Sequence, residues 1–478
     1  MEIKEIIAQR QAKLDTLKAK GYEGYPAKTP LRIPIGLALA DFQEGKKTAF
    51  AGRIIAKRSH GKAVFLDIRD ATGKIQLYLK ADILGEEGFF VYQNLDVADI
   101  VYAKGELFKT HTQEPTLKVE QILLLSKALR SLPEKWHGLK DTDLRYRQRY
   151  LDYISNEEVR KVFFLRSEII RKIRAFLEKK GFLEVETPMM HYIPGGAAGR
   201  PFKTHHNEYD LDLYLRIAPE LYLKQLLVAG MDKIYEINRS FRNEGVSTRH
   251  NPEFTMLELY EAYSDYEAMM HLSESLIVFL VQELFGSATI EYQKEVINFA
   301  PPWKKISFAQ LVKEKFGILP SDSEDVMLKK LQSCGFAKET NRLSRTQIAK
   351  IIEEVLEEQI GQDPVFVVDY FTSLCPLAKA KREEPLIAER FELYIAGLEI
   401  GNAYSELNDP LEQRRRMEEE IKDLPPEERK ALDEEFLIAL EHGMPPAGGL
   451  GIGIDRLVML LTNQSNIREV ILFPLLRP

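Results

Sequence analysis

Glu392 and Glu399 stand seven residues apart in RFELYIAGLEIGN, and Glu406 follows closely in GNAYSELND. Carboxylates gathered this densely can hold a hard divalent cation or pair with an ammonium. Arg242 lies in FRNEG (Phe241 to Gly245), ahead of RHNPEFTMLELY (Arg249 to Tyr260), and Arg456 ends GGLGIGIDR. A guanidinium supplies aligned donors and a fixed charge, which suits a phosphate. Neither common phosphate loop is present. There is no GxxxxGK[ST], and Gly449, Gly451 and Gly453 alternate without the spacing of a dinucleotide fingerprint. If the chain uses a nucleotide, arginines and metal-holding carboxylates must therefore handle its phosphates. Taken singly, each feature has a plainer reading: an exposed acidic pair, a surface ion pair or a tight turn. Glu258 is harder to dismiss. The two-residue strand period puts it on one face with Phe254, Met256 and Tyr260, where an unpaired carboxylate is costly. Glu220, after Pro219 in RIAPELYLK, could simply sit in a helix's first turn.

The elements that must carry these residues divide along the chain. Ile3, Ile6, Ile7, Leu14 and Leu17 predict a helix stopped by Gly21, and Pro26, Pro30 and Pro34 predict a connector, together spanning 1–45. Residues 46–130 switch to short runs such as AVFLDIRD, KIQLYLK and DIVYAKGELFKT. Five such strands predict an all-β Greek-key barrel of the OB-fold type, with a helix in the gap from 81 to 98. A polar bridge over 131–155 carries Arg145, Arg147 and Arg149. From 156 to 478 a larger α+β domain is expected, with a mostly antiparallel sheet flanked by helices. It opens on a long helix capped by Asn156 and ended by Gly181. Residues 321–360 look helical and less apolar, as an insertion would.

Composition narrows the class. A chain of 478 residues, 45% hydrophobic and 29% charged, suits two or three globular domains. Two distant cysteines, Cys334 and Cys375, exclude a disulfide framework and suit a reducing compartment. The charged N-terminus is unlike a signal peptide, and no membrane span is expected, so the cytoplasm is the default. Net charge is −7, yet residues 46–80 hold nine bases against two acids. That local excess suits a phosphate-bearing partner at the barrel.

GFLEVETP (Gly181 to Pro188), the FRNEG stretch and GGLGIGIDR, in this order, resemble the three signature motifs of class II aminoacyl-tRNA synthetases. Through YRQRYLD, YLRIAPELYLK, EIGNAYSELND and the terminal ILFPLLRP, the chain most resembles the class II lysyl-tRNA synthetases, end to end. The departures are slight: Gly199 stands in GGAAGRPF where Ala is usual, and NAYSE replaces the more frequent Gly and Phe. The resemblance implies ATP-dependent activation of L-lysine and its transfer to tRNA(Lys). It puts Arg242 on the α-phosphate as the catalytic residue, Glu244 on the adenosine and His250 toward the γ-phosphate. Adenine would lie between Phe254 and Arg456, and Glu392 and Glu399 would hold Mg²⁺. For lysine it implies Glu258 and Glu406 on the side chain, Tyr260 and Tyr404 along the slot, Glu220 and Asn402 on the α-amino and carboxylate groups, and Gly196 backbone. Aspartyl enzymes typically carry Gln and Arg where Glu220 and Glu406 stand, so acids here reverse the charge preference. The barrel would bind the anticodon, with Phe65 stacking and Gln76 reading an edge, and a homodimer is implied. Three rivals have specific objections. A protein-lysylating relative usually lacks the barrel. An aspartyl or asparaginyl enzyme conflicts with Glu220 and Glu406. A non-catalytic paralogue should have lost Arg242, Arg456, Glu392 or Glu399.

Overall fold

The computed structural model describes residues 2–60, 63–133, 139, 141–197, 199–336, 347–348, 351–352, 360–423 and 431–477. The chain forms two compact units, Met1–Lys140 and Asp141–Pro478.

The first unit is a closed barrel of β1 (Lys47–His60), β2 (Ala63–Arg69), β3 (Lys74–Lys80), β4 (Ile100–Lys109) and β5 (Pro115–Ser126), in the order β1-β2-β3-β5-β4. β1 pairs with β4 along its first half and with β2 along its second, bending at a bulge between Ile54 and Ala56. β3 and β5 run parallel. Strand alternation sends Val64, Leu66, Ile68, Ile75, Leu77 and Leu79 into one core. This is the expected OB-type barrel, and the helix Ala81–Gln93 fills the gap between β3 and β4. The N-terminal helix, Ile3–Ala19, buries Leu14 and Leu17 in that core, while Ile3 of the expected stripe is exposed.

The second unit is built on an eight-stranded sheet. Its strands are β6 (Leu183–Glu184), β10 (Lys233–Phe241), β11 (Glu253–Ala262), β14 (Lys304–Ser307), β15 (Val365–Val368), β16 (Arg390–Ile395), β17 (Leu398–Ser405) and β18 (Ala447–Gly453). The order is β14-β15-β16-β17-β18-β11-β10-β6. Only the two outermost pairings, β14 with β15 and β6 with β10, are parallel. A small sheet of β7 (Met190–His191), β8 (Lys203–His206) and β9 (Leu211–Leu215) and a hairpin of β12 (Thr289–Tyr292) and β13 (Glu295–Asn298) accompany it.

The helices Glu157–Lys179 and Tyr266–Phe285 share the sheet's core through Ile169, Ile173, Leu177, Met269, Leu276 and Leu280. The second is long and apolar enough to cross a bilayer, with a mean hydropathy of 1.3. Its apolar side is committed to this core, which is why a buried helix can pass a test of length and composition. Asn156 does not cap the first helix through its side chain, which is turned back to Asp152 instead. Residues 142–155, expected in a polar bridge, form the helices Thr142–Arg147 and Arg149–Ser155 within this unit. Arg149 is fully buried, bonded to Asp152 at 2.8 Å and to the Leu472 carbonyl at 3.2 Å. The basic cluster here thus ties down the C-terminal segment. In the 321–360 stretch, Glu324–Ser333 is helical as expected, and much of the remainder lies outside the described residues.

Candidate active site

β11 and its neighbours build the site. Leu257 and Leu259 point into the core, so Met256, Glu258 and Tyr260 face the other way. β18 lies between β11 and β17, pairing Glu258 and Asn402 with Gly451, and Tyr260 and Tyr404 with Gly449. Leu450 and Ile452 fill the core side of β18, while its glycines leave the site side bare. The result is a slot with a backbone floor and polar walls. A side chain at Gly449 would put its first carbon onto the Glu406 carboxylate and 2.6 Å from the Tyr260 ring.

All seven residues expected around lysine line this one cavity: Gly196, Glu220, Glu258, Tyr260, Asn402, Tyr404 and Glu406. Arg242 lines it too. Glu220, Glu258 and Glu406 are each buried, at 4%, 4% and 1% exposure, so the slot concentrates three carboxyl groups away from water. Burial and the nearby Glu220 push Glu258 up to about 8, against the opposing pull of Arg242. Burial also raises Glu406, partly offset by Lys224. Gly196 has φ +84° and packs closely against the Glu220 side chain, a conformation open to glycine.

Arg242 follows β10 directly, its backbone N–H donating to the Pro252 carbonyl at 2.9 Å. Its guanidinium lies 5.1 Å from the centre of the Phe254 ring, and its Nε is buried without a hydrogen-bond acceptor. Phe254 is therefore covered by Arg242. Arg456 is turned elsewhere, donating to the Glu399 carboxylate and carbonyl at 2.9 Å each and to His250 Nε2 at 3.0 Å. A guanidinium cannot accept, so His250 Nε2 must be the acceptor and its proton sits on Nδ1, facing Ser247 Oγ at 2.9 Å. Burial and the Arg456 charge both lower the His250 pKa, in keeping with this neutral form. Glu244 is exposed beyond Arg242. Asp455 anchors the arrangement, accepting from the Thr255 N–H at 2.7 Å and from Arg166 at 2.6 Å.

Glu399 reaches the site because β17 carries an extra residue. Leu393 pairs with Gly401 and Tyr394 with Glu399, leaving Ile400 over. That bulge keeps Glu399 on the face of Asn402, whose amide lies 3.5 Å from it. Glu392 accepts from the Tyr370 and Tyr394 hydroxyls at 2.7 Å and from Arg390. Among the described residues no group of three or more metal-ligating side chains occurs. Two carboxylates with lone pairs to spare suit an ion delivered on phosphates rather than one caged by protein. Burial raises Glu399, but Arg456 outweighs it and the net shift is downward, favouring the carboxylate form. Lys224, Tyr370 and Arg390 were not singled out from sequence. The signal for Lys224 was its position one helical turn after Glu220.

On the barrel, Phe65 faces away from the core and meets Tyr78 at 5.3 Å, which meets Phe108 at 5.9 Å. Gln76 shares that outer side but is buried, accepting from Thr116 Oγ1 at 3.1 Å. Several bases of the 46–80 excess are already paired, including Arg58 with Asp67 and Lys47 with Glu120.

A class II synthetase catalytic unit behind an OB-type barrel accounts for this architecture. Residues 141–477 match the family of class II tRNA synthetases (D, K and N), and residues 49–125 match the OB-fold nucleic acid binding domain. The chain belongs to this class II tRNA synthetase family. Its relatives are more particular. It is 51% identical to a lysine–tRNA ligase of Pelotomaculum thermopropionicum over 100% of this chain and 96% of that one. It is 50% identical to that of Moorella thermoacetica, over 99% and 98%. It is also 50% identical to that of Carboxydothermus hydrogenoformans, over 100% and 99%.

Proposed function

We infer that the chain is an ATP-dependent ligase that activates L-lysine as lysyl-adenylate and transfers lysine to the 3′ end of tRNA(Lys). One observation carries the choice of amino acid: three buried carboxylates converge on a single slot that also receives Arg242. Such a slot rejects an acidic substrate and needs a cation to neutralise it. Glu258 and Glu406 would take the ε-ammonium, with Tyr260 and Tyr404 along its stem. Glu220, Asn402 and Gly196 would orient the α-amino and carboxylate groups.

The lysine carboxylate is ionised at neutral pH, so it attacks the α-phosphorus without a general base. The bond to the β-phosphate oxygen breaks and diphosphate leaves. A tRNA ribose hydroxyl then attacks the carbonyl, releasing AMP. Arg242 stabilises charge on the α-phosphate, and its unbonded buried Nε supports that role. Phe254 and Arg456 would take adenine between them, each giving up its present partner. Glu244 would reach the adenosine, and His250 would stand toward the γ-phosphate. Glu392 and Glu399 would hold Mg²⁺, which supplies charge neutralisation on the polyphosphate.

The outward aromatic trio on the barrel supports anticodon stacking at Phe65, with Gln76 beside it. A homodimer is supported by exposed Leu183, Met189, Met190 and Tyr192 within ten residues of chain. The charge pattern, the paucity of cysteine and the translation role favour the cytoplasm. Aminoacylation of mixed tRNA with each of twenty labelled amino acids tests the reading. Lysine alone should enter acid-precipitable tRNA. Aspartate or asparagine entering in its place would sink it.

A further inference from the structure

One buried cation has no part in the chemistry above. Lys224 lies in the helix Glu220–Val228 and is fully buried. Its Nζ is 2.7 Å from a Glu220 oxygen and 2.5 Å from a Glu406 oxygen. Both partners line the slot, although Lys224 itself does not. An ammonium already occupies the space between the two carboxylates proposed to meet the two amino groups of the substrate.

We infer that Lys224 is a positioning residue that determines lysine affinity, by aiming Glu220 and Glu406 and easing the ionisation of Glu406 while leaving one net negative charge for the substrate. The inference rests on the lysine reading of the slot. Two carboxylates share a single cation, so this trio keeps one uncompensated charge. Once Glu258 is ionised it offsets Arg242, and the slot as a whole then stands one positive charge short of neutral. Free lysine, with two ammonium groups and one carboxylate, carries the matching single positive charge. Geometry supports the division of labour. Only one Glu406 oxygen faces Lys224. Both oxygens are buried, and neither makes a well-aligned hydrogen bond, Oε2 meeting Lys224 as an ion pair at 2.5 Å; Oε1 lies beside the bare face of Gly449, where a substrate ammonium would complete it.

Burial would by itself neutralise Lys224, but Glu220 and Glu406 outweigh it and keep the amine charged. Removing the cation leaves two buried carboxylates within reach of one former partner. Mutual repulsion then makes one of them hold a proton. A lysine used only for folding would affect stability and turnover. A lysine that keeps the slot ionised must also set the pH at which substrate binds.

The test is lysine-dependent ATP–diphosphate exchange by the full chain from pH 6 to 9.5, comparing the wild type with Lys224→Met and Lys224→Gln. The amide in Lys224→Gln keeps two N–H donors and removes the charge, so it remains informative if Lys224→Met does not fold. At pH 7 the lysine KM should rise at least about tenfold, with the ATP KM within about twofold. The acid limb of kcat/KM for lysine should move up by about one pH unit, so that affinity largely recovers at pH 9. A folded Lys224→Gln with the wild-type lysine KM and an unmoved acid limb would overturn the inference. A wild type that exchanges with a different amino acid overturns the lysine reading beneath it, a distinguishable failure.

Discussion

Arg242 touches both halves of the expected reaction: it lines the lysine slot and covers Phe254. Arg242→Gln keeps two donors but loses the charge that a phosphate needs. Exchange kcat should fall by about 10²- to 10³-fold, the usual cost of losing one transition-state donor, with little change in thermal midpoint. Stopped turnover with an equally depressed midpoint would instead assign Arg242 to the fold. Glu258 makes a second residue-scale prediction. Its pKa of about 8 belongs to a carboxyl that must ionise before it can pair with an ammonium. Below that pH, lysine binding must displace a proton. The lysine KM should therefore fall by up to about tenfold per unit as pH rises from 6 toward 8, then level off. The substrate ε-amine keeps its charge until about pH 10, so it does not mask the effect. A lysine KM flat from pH 6 to 8 would contradict the assignment, and the ATP KM serves as control.

At the scale of elements, the glycines of β18 do different jobs. Gly449 faces Glu406 and Tyr260, and any side chain collides with both. At Gly451 an added methyl would first meet Met256 Cε at 3.4 Å, an ordinary contact. Gly449→Ala should raise the lysine KM at least tenfold, whereas Gly451→Ala should stay within about threefold of wild type. Equal effects would mean that the strand, not the slot, was damaged. The neighbouring strand β11 shows what was legible beforehand. Strand alternation along β11 already put Glu258 beside Tyr260, and the barrel's strand count and inserted helix were readable from hydrophobic runs. The β17 bulge was not, because one extra residue leaves no mark in a pattern of apolar positions. Only the pairing of Tyr394 with Glu399 exposes it. The arginines of 145–149 misled for a related reason. Besides nearby Asp152, they reach Glu469 and the Leu472 carbonyl, more than three hundred residues away.

At the scale of the whole molecule, the barrel and the catalytic unit are separate compact bodies. Damage to one should leave the chemistry of the other alone. Phe65→Ala removes an outward ring without touching the barrel core. It should raise the tRNA KM by about tenfold in aminoacylation, since stacking one base is worth roughly 1–3 kcal/mol, and leave exchange unchanged. A loss in exchange as well would deny the separation. Charge counting along 46–80 overstated the free positive surface, because it cannot register ion pairs such as Arg58 with Asp67. The outward aromatics are the firmer guide to this partner.

The most direct measurement is ATP–diphosphate exchange by the full-length protein with Mg²⁺, offering each of the twenty amino acids alone. Lysine should support exchange, and acidic and neutral amino acids should not, because only a substrate with net positive charge neutralises the slot. Exchange with aspartate or asparagine, or a folded protein that exchanges with none, would contradict it.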